Sequence, residues 1–207
     1  MKYLVKTLLL SFVLFSSTSH ASWKEASDIM DRTTAGMLAL VTDETLTQPD
    51  NIELLMQRID QLMGGTVDFN YIAKSVMGKY YRRASDAQVN QFASVLKTTL
   101  LRTYAKAVVG FEFKTYELVP PIEASPDPDK QIVSVNVFAA DGTVYSLNYY
   151  MVQKNGQWSL VNVVVDGINL RITFRNQFAG MMERHSKVGV AIDQWAEAMA
   201  DVVKDSQ

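Results

Sequence analysis

The chain holds two histidines, His20 and His185, and no cysteine. His20 falls in a stretch that reads as a removable leader, so a mature chain keeps one imidazole. Nucleophilic catalysis by serine needs a base beside the hydroxyl. Only His185 is available for that role, and no GxSxG elbow presents a serine to it. His185 stands instead at the expected C-terminal end of a helix, where a cationic side chain interacts well with the last carbonyls. The missing cysteines remove thiolate nucleophiles, disulfides and thiolate metal sites together. Asp127 and Asp129 share a proline-rich loop without calcium-loop spacing and read as solvated turn residues. No Walker or dinucleotide glycine pattern is present. The inventory points away from catalysis and toward binding.

The elements that would position a binding site fall into three stretches. The first, about 22–110, is helical in pattern. Trp23 to about Val41 carries Ile29, Met30, Ala35, Met37, Leu38 and Val41 at helical spacing. Asp50 or Asn51 can cap a second helix to Met63, ended by Gly64-Gly65. A short helix spans Phe69 to Met77 and stops at Gly78. Ser85 caps a long helix of about Asp86 to Val109, with Gly110 at its end. The second stretch, about 111–166, is β. A strand at Phe111–Val119 precedes a loop holding four of the five prolines, followed by strands at about 131–140, 143–154 and 157–165. The third, about 168–204, returns to helical period and includes a last helix at about Val188–Val203. Helices, an antiparallel meander and helices again read as one α+β domain over 22–207. The shape resembles the NTF2-like or cystatin-like cone, a curved sheet of about four strands wrapped by N- and C-terminal helices.

Asp141-Gly142 and Asn155-Gly156 are strong hairpin signals. If both loops have two residues, Ala140 pairs with Thr143 and Lys154 with Gln157. One face then carries Val133, Val135, Val137, Ser146, Asn148, Tyr150, Val161, Val163 and Val165. The other carries Ile132, Phe138, Tyr145, Leu147, Tyr149, Met151, Trp158, Leu160 and Val164. Antiparallel sheets usually wet one face. This register wets neither, so each face needs a cover: helices, a partner or an apolar ligand. A one-residue bulge would move every later side chain to the opposite face.

Residues 1–21 read as a secretory signal peptide. Lys2 and Lys6 form the basic start, Thr7 to Phe15 the apolar core, and Ser19-His20-Ala21 the small-x-small cleavage site. Nine apolar residues are too few to span a bilayer, which takes roughly 20, so the mature chain is expected to be soluble and exported. Formal charge is −2, and losing the two leader lysines makes it more negative. A mildly acidic chain without a basic run is poorly suited to nucleic acid.

Two strings remain. Asp68 to Gln88 reads as a capped short helix, a glycine stop, an aromatic-basic connector (Tyr80-Tyr81-Arg82-Arg83) and a Ser-capped helix. Gln157 to Phe178 reads as a strand that bends at Gly167 into a helix capped by Asn169. With Phe92 to Tyr104 between them, these pieces resemble the MlaC family of periplasmic phospholipid-transport proteins, also called the toluene-tolerance auxiliary family. The matching motifs are a DFxxIAxxVLGxxY-like helix, a YYRRAS-like connector, a QxxxFxxxLxxxLxxxY-like helix, a WxxxDV-like strand and an EGVSL-like turn. The resemblance covers essentially the whole mature chain in order. Two positions depart from it. Asn162 stands where the family often has aspartate, so no ionic role carries over, and Asn169 stands where it often has serine, which can still cap.

The resemblance implies a monomeric carrier with no cofactor and phospholipid as cargo. Its implied partners are an outer-membrane lipoprotein–porin complex and an inner-membrane ABC-transporter complex with its substrate-binding component. Its implied role is the maintenance of outer-membrane lipid asymmetry. A carrier is physically needed, since about 14 methylenes at about 0.8 kcal/mol each hold an acyl chain out of water by about 11 kcal/mol. The ten methionines suit an adaptable apolar wall. The cavity is expected between the sheet and the helices after Phe69, lined by Val76, Leu96, Leu100, Tyr104, Val135, Tyr149, Val163, Ile168 and Phe174. Ile168, at the sheet–helix junction, is expected to face it. Two alternatives are an NTF2-like acid–base enzyme and an exported adaptor that binds a protein through an apolar face. The enzyme needs a titrating group inside the cone, and the strands offer only Asn148 and Asn162.

Overall fold

The computed structural model describes residues 18–109 and 111–204. Residues 1–17 of the expected leader, and Gly110, lie outside the described residues. Helix α1 runs Thr18–Val41, and a 3-10 turn, Pro49–Asn51, leads into α2, Ile52–Met63. Helix α3 is Phe69–Met77, a 3-10 connector covers Gly78–Arg83, and α4 is Asp86–Val108. Strands β1 (Phe113–Val119), β2 (Lys130–Ala139), β3 (Val144–Lys154), β4 (Gln157–Val165) and β5 (Ile168–Asn169) follow, then α5 (Leu170–His185) and α6 (Val188–Lys204).

Helix ends sit where local chemistry sets them. Asp68 accepts a hydrogen bond from the Tyr71 amide and starts α3, and Gly78 at φ 56° stops it. Ser85 and Gln88 form a reciprocal capping box at α4. Asn169 accepts from the Ile172 amide and starts α5.

The strands form one antiparallel sheet in sequential order β1-β2-β3-β4-β5, so the expected four are joined by a two-residue fifth. Asp166 (φ 48°) and Gly167 (φ 82°) make a tight turn with two positive φ values, which pairs Val165 with Ile168. The Asn155-Gly156 turn has the expected two-residue loop, with Lys154 opposite Gln157. The Asp141-Gly142 turn does not. Ala139, not Ala140, pairs with Thr143: its amide donates to the Thr143 carbonyl at 2.9 Å, and Gly142 N donates to Ala139 O at 3.1 Å. The loop therefore has three residues, Ala140 to Gly142, with Gly142 at φ 91° supplying the left-handed position. That single extra residue slips β2 against β3 by one.

The slip removes the two-faced apolar sheet. Val133, Val135 and Val137 now stand opposite Tyr149, Leu147 and Tyr145. A bulge at Val161 then sets Val163 opposite Tyr149 and Val165 opposite Leu147. One face is apolar. The other carries Ser134, whose hydroxyl donates to Asn148 Oδ1 at 2.7 Å, and Asn136, whose amide donates to Glu117 at 3.2 Å. This is the ordinary one-wet-face sheet. Helix α1 crosses the apolar face, held by several polar links to the strands. Trp23 Nε1 donates to Ile132 O, Trp158 Nε1 to Glu25, and the Tyr116 hydroxyl to Asp31 at 2.8 Å.

The core has three packed clusters. One joins α3, the first half of α4, α5 and α6 around Phe92, Phe178 and Trp195. Phe92 lies 4.8 Å from Phe178 and 5.3 Å, edge-on, from Trp195. The second joins the sheet to Ala26 and Met30 of α1. The third joins α2, the end of α1 and the second half of α4 around Leu55, Ile59 and Leu101.

Candidate functional site

A cavity of about 460 Å³ opens where the three clusters meet. If a methylene takes about the ~30 Å³ that a water molecule has in the liquid, roughly 15 fit, about one acyl chain. Helix α1 supplies Met30, Thr33, Thr34, Met37 and Leu38, α2 gives Ile59 and Met63, and α3 gives Phe69 and Ile72. Leu100, Leu101 and Tyr104 come from α4, and Tyr145, Leu147, Tyr149, Leu160 and Val163 from the sheet. Leu170, Arg171 and Phe174 come from α5. Among the described residues Arg171 is the one charged side chain in the wall, and no carboxylate or imidazole lines it.

The wall brings together five of the nine expected residues: Leu100, Tyr104, Tyr149, Val163 and Phe174. Tyr149 stood on the wrong face in the two-residue-loop count, and the extra loop residue together with the Val161 bulge puts it inside. Phe174 also packs edge-on against Trp195 at 5.8 Å, joining the wall to the helical cluster. Val76 and Leu96 lie away from the cavity, fully buried in that helical cluster. Val135 is packed in the sheet cluster. Ile168 is 60% exposed, because the Asp166-Gly167 turn folds it back along Val165 rather than inward.

The sequence reading placed the wall after Phe69 and so missed α1 and α2. The available signal was Met30, Met37 and Met63, three methionines on two amphipathic helices, all of which line the cavity.

Electrostatics follow from burial. Burial pushes the Tyr149 phenol up to about 12. It also holds the Tyr104 phenol well above its ordinary range, with the nearby Tyr149 adding to the shift. Asn162 is buried, and its Oδ1 accepts from the Arg171 amide at 3.2 Å, tying β4 to the first turn of α5. An uncharged amide suffices for that link, and its NH₂ has no partner among the described residues. No group of three or more His, Cys, Asp or Glu side chains among them is placed to hold a metal ion.

The sequence matches the family described as MlaC protein over residues 31–197. The chain belongs to the MlaC family. That match runs from within α1, just after Met30, through α5. Within the MlaC family it is similar to Toluene tolerance protein ttg2D of Pseudomonas putida. The two are 30% identical over 175 residues, 84% of this chain and 80% of the relative. Its fold is similar to that of a phospholipid-binding protein from Ralstonia solanacearum, solved in complex with a phospholipid. The TM-score is 0.77 at 24% identity, over 85% of this chain and 97% of the other. Among the described residues no helix of this MlaC protein is long and apolar enough to cross a membrane.

Proposed function

We infer that this protein is a periplasmic phospholipid carrier. It holds acyl chains in the cavity between α1, α4, α5 and the sheet. It passes lipid between an outer-membrane lipoprotein–porin complex and an inner-membrane ABC-transporter complex, and so maintains outer-membrane lipid asymmetry. The observation that carries this reading is the cavity itself, lined mainly by apolar side chains with Arg171 its one charge among the described residues. Such a wall offers hydrocarbon a dry environment and offers a polar substrate little. Membership of the MlaC family and the phospholipid bound by the Ralstonia solanacearum protein support the cargo class. An NTF2-like acid–base enzyme is disfavoured. Its site needs a titrating group near neutral pH, and the tyrosines of this wall are shifted away from neutrality.

Native mass spectrometry of the purified protein, followed by lipid extraction, tests the reading. A mass above the chain by one or more phospholipids is expected. A clean apo mass with a defined protein partner would favour the adaptor and overturn the carrier. Transfer of fluorescent phospholipid between vesicles, accelerated by the protein, is the functional counterpart.

A further inference from the structure

The chain has a formal charge of −2 and no basic run, yet the fold gathers cations around the connector between α3 and α4. From Phe69 to Ser85 the chain holds Lys74, Lys79, Arg82 and Arg83 and no acid. Three of the four lie over the tyrosines of the 3-10 connector, Gly78–Arg83. Lys79 Nζ stands 5.1 Å and Arg83 Cζ 5.9 Å from the Tyr80 ring centre, and Lys74 Nζ stands 5.5 Å from that of Tyr81. The Tyr80 ring lies 6.5 Å from Phe178, so the patch rests on the helical core. Helix α5 adds to it. The Arg175 stem packs against Gly78, where an added Cβ would meet it at 3.5 Å. Arg83 donates to Ser186 O at 2.6 Å, and Arg184 and Lys187 flank Ser186 in the chain. Lys74, Lys79, Arg82 and Arg175 make no ion pair among the described residues. The acids nearest in sequence are Glu183 and Asp86. Like charges gathered without counter-charges repel one another, so this face suits an anionic partner.

Tyr81 is 39% exposed among these cations, and Ile172, three residues before Arg175 on α5, is 43% exposed. Exposed tyrosine beside long basic side chains with apolar stems is the composition that a bilayer's headgroup layer takes up. Helix α5 also joins the patch to the cavity. Arg171 lines the wall and lies on the same helix face as Arg175, four residues on. An anionic bilayer presents both requirements at one place, phosphates for the cations and acyl chains for the cavity. We propose that the Gly78–Arg83 connector and the adjoining face of α5 dock on the headgroup plane of an anionic lipid bilayer. The choice of a lipid surface rests on the carrier reading. Docking there brings the Arg171 side of the cavity wall to the bilayer.

The test is co-sedimentation of the purified protein with vesicles of phosphatidylcholine alone and of phosphatidylcholine mixed with phosphatidylglycerol. Three forms are compared: the wild type, Lys79→Ala with Arg82→Ala, and Arg58→Ala with Lys114→Ala, the last removing two exposed cations from α2 and β1. The wild type is expected to bind the phosphatidylglycerol vesicles, to leave the neutral ones, and to be released at about 1 M salt, where charges are screened within about 3 Å. Each cation near an anionic surface is worth about fivefold in partitioning, so the Lys79 and Arg82 pair is expected to lose about 30-fold and the Arg58 and Lys114 pair to stay near the wild type. All four side chains are exposed, so both variants should keep the wild-type circular dichroism and co-purified phospholipid. Equal binding to neutral and anionic vesicles, or equal loss in the two variants, overturns the docking surface. So does failure to bind either vesicle, which gives the patch to an acidic protein and, where phospholipid still co-purifies, leaves the carrier intact. Patch-dependent vesicle binding by a protein that neither co-purifies with phospholipid nor takes it up overturns the carrier reading and upholds the docking surface.

Discussion

Val163→Glu is the most direct challenge to the cavity as a lipid site. Val163 lines the wall and stands opposite Tyr149 in the middle of the sheet. In the empty protein, water can reach an introduced carboxyl through the opening, so the fold tolerates it. Acyl chains expel that water, and an ionised carboxylate must then neutralise before lipid can enter. From an ordinary glutamate value of about 4.3, protonation at pH 7 spans about 2.7 units, or about 3.7 kcal/mol, an affinity loss of about 500-fold. At pH 5 the span is about 0.7 units, about 1 kcal/mol and about fivefold. The sign is therefore definite: the bound state raises the carboxyl's pKa, so lipid affinity recovers as pH falls, by about 100-fold between pH 7 and 5. Titration with a fluorescent phospholipid at both pH values, beside circular dichroism, reads this directly. A folded variant with wild-type affinity at pH 7, or with a loss that does not change with pH, refutes the placement of Val163 against acyl chains.

The remaining expectations concern positions outside that contact. Ile168→Glu, at a site 60% exposed, should change thermal stability by no more than about 0.5 kcal/mol and leave co-purified lipid near the wild-type level. Ser85→Ala removes one arm of the α4 capping box and should cost about 1 kcal/mol, read as a fall of a few degrees in Tm. Phe178→Ala, in the middle of the Phe92–Phe178–Trp195 packing, should cost about 3–5 kcal/mol in denaturant unfolding. Raised phenol values make folding favour the protonated form. Stability is thus complete below an unfolded tyrosine value of about 10 and is lost as pH rises through that value. For Tyr149 the loss runs on to about 12. Absorbance at alkaline pH should show tyrosines that ionise only as the fold opens.

Much of the architecture was legible because local chemistry marks it. Asp68 and Gly78 bracket α3, Ser85 and Gln88 start α4, and Asn155-Gly156 closes the β3–β4 hairpin with the expected pairing. The register of β2 was not legible, because a glycine after aspartate serves a two-residue loop and a three-residue loop equally well. Choosing between them requires knowing which face the rest of the molecule covers, and that is a tertiary fact. The same limit explains the site. Val76 and Leu96 share helical stripes with wall residues such as Ile72 and Leu100, and periodicity reports that a face is buried without saying whether it meets side chains or open space. Ile168 was misplaced for a different reason. The turn at Asp166-Gly167 reverses the chain into β5 before α5 begins, whereas the reading had the strand bend at Gly167 directly into the helix.

The cavity lies where the three clusters would otherwise close on one another, and this has a thermodynamic consequence. A sealed, rigid void of about 460 Å³, at about 24 cal/mol per Å³, would cost about 11 kcal/mol, within the range of a domain's entire stability. Without a ligand the protein therefore does not keep this space dry and rigid. It admits water through the opening or draws its walls together, and methionines such as Met30, Met37 and Met63 are the side chains best able to repack. Cargo is in that sense a missing piece of the hydrophobic core. Melting temperature becomes a gauge of occupancy, since each loaded molecule is stabilised by mass action. On the carrier reading, release leaves behind a softer protein, so a recipient must offer the lipid a better environment than the loaded cavity.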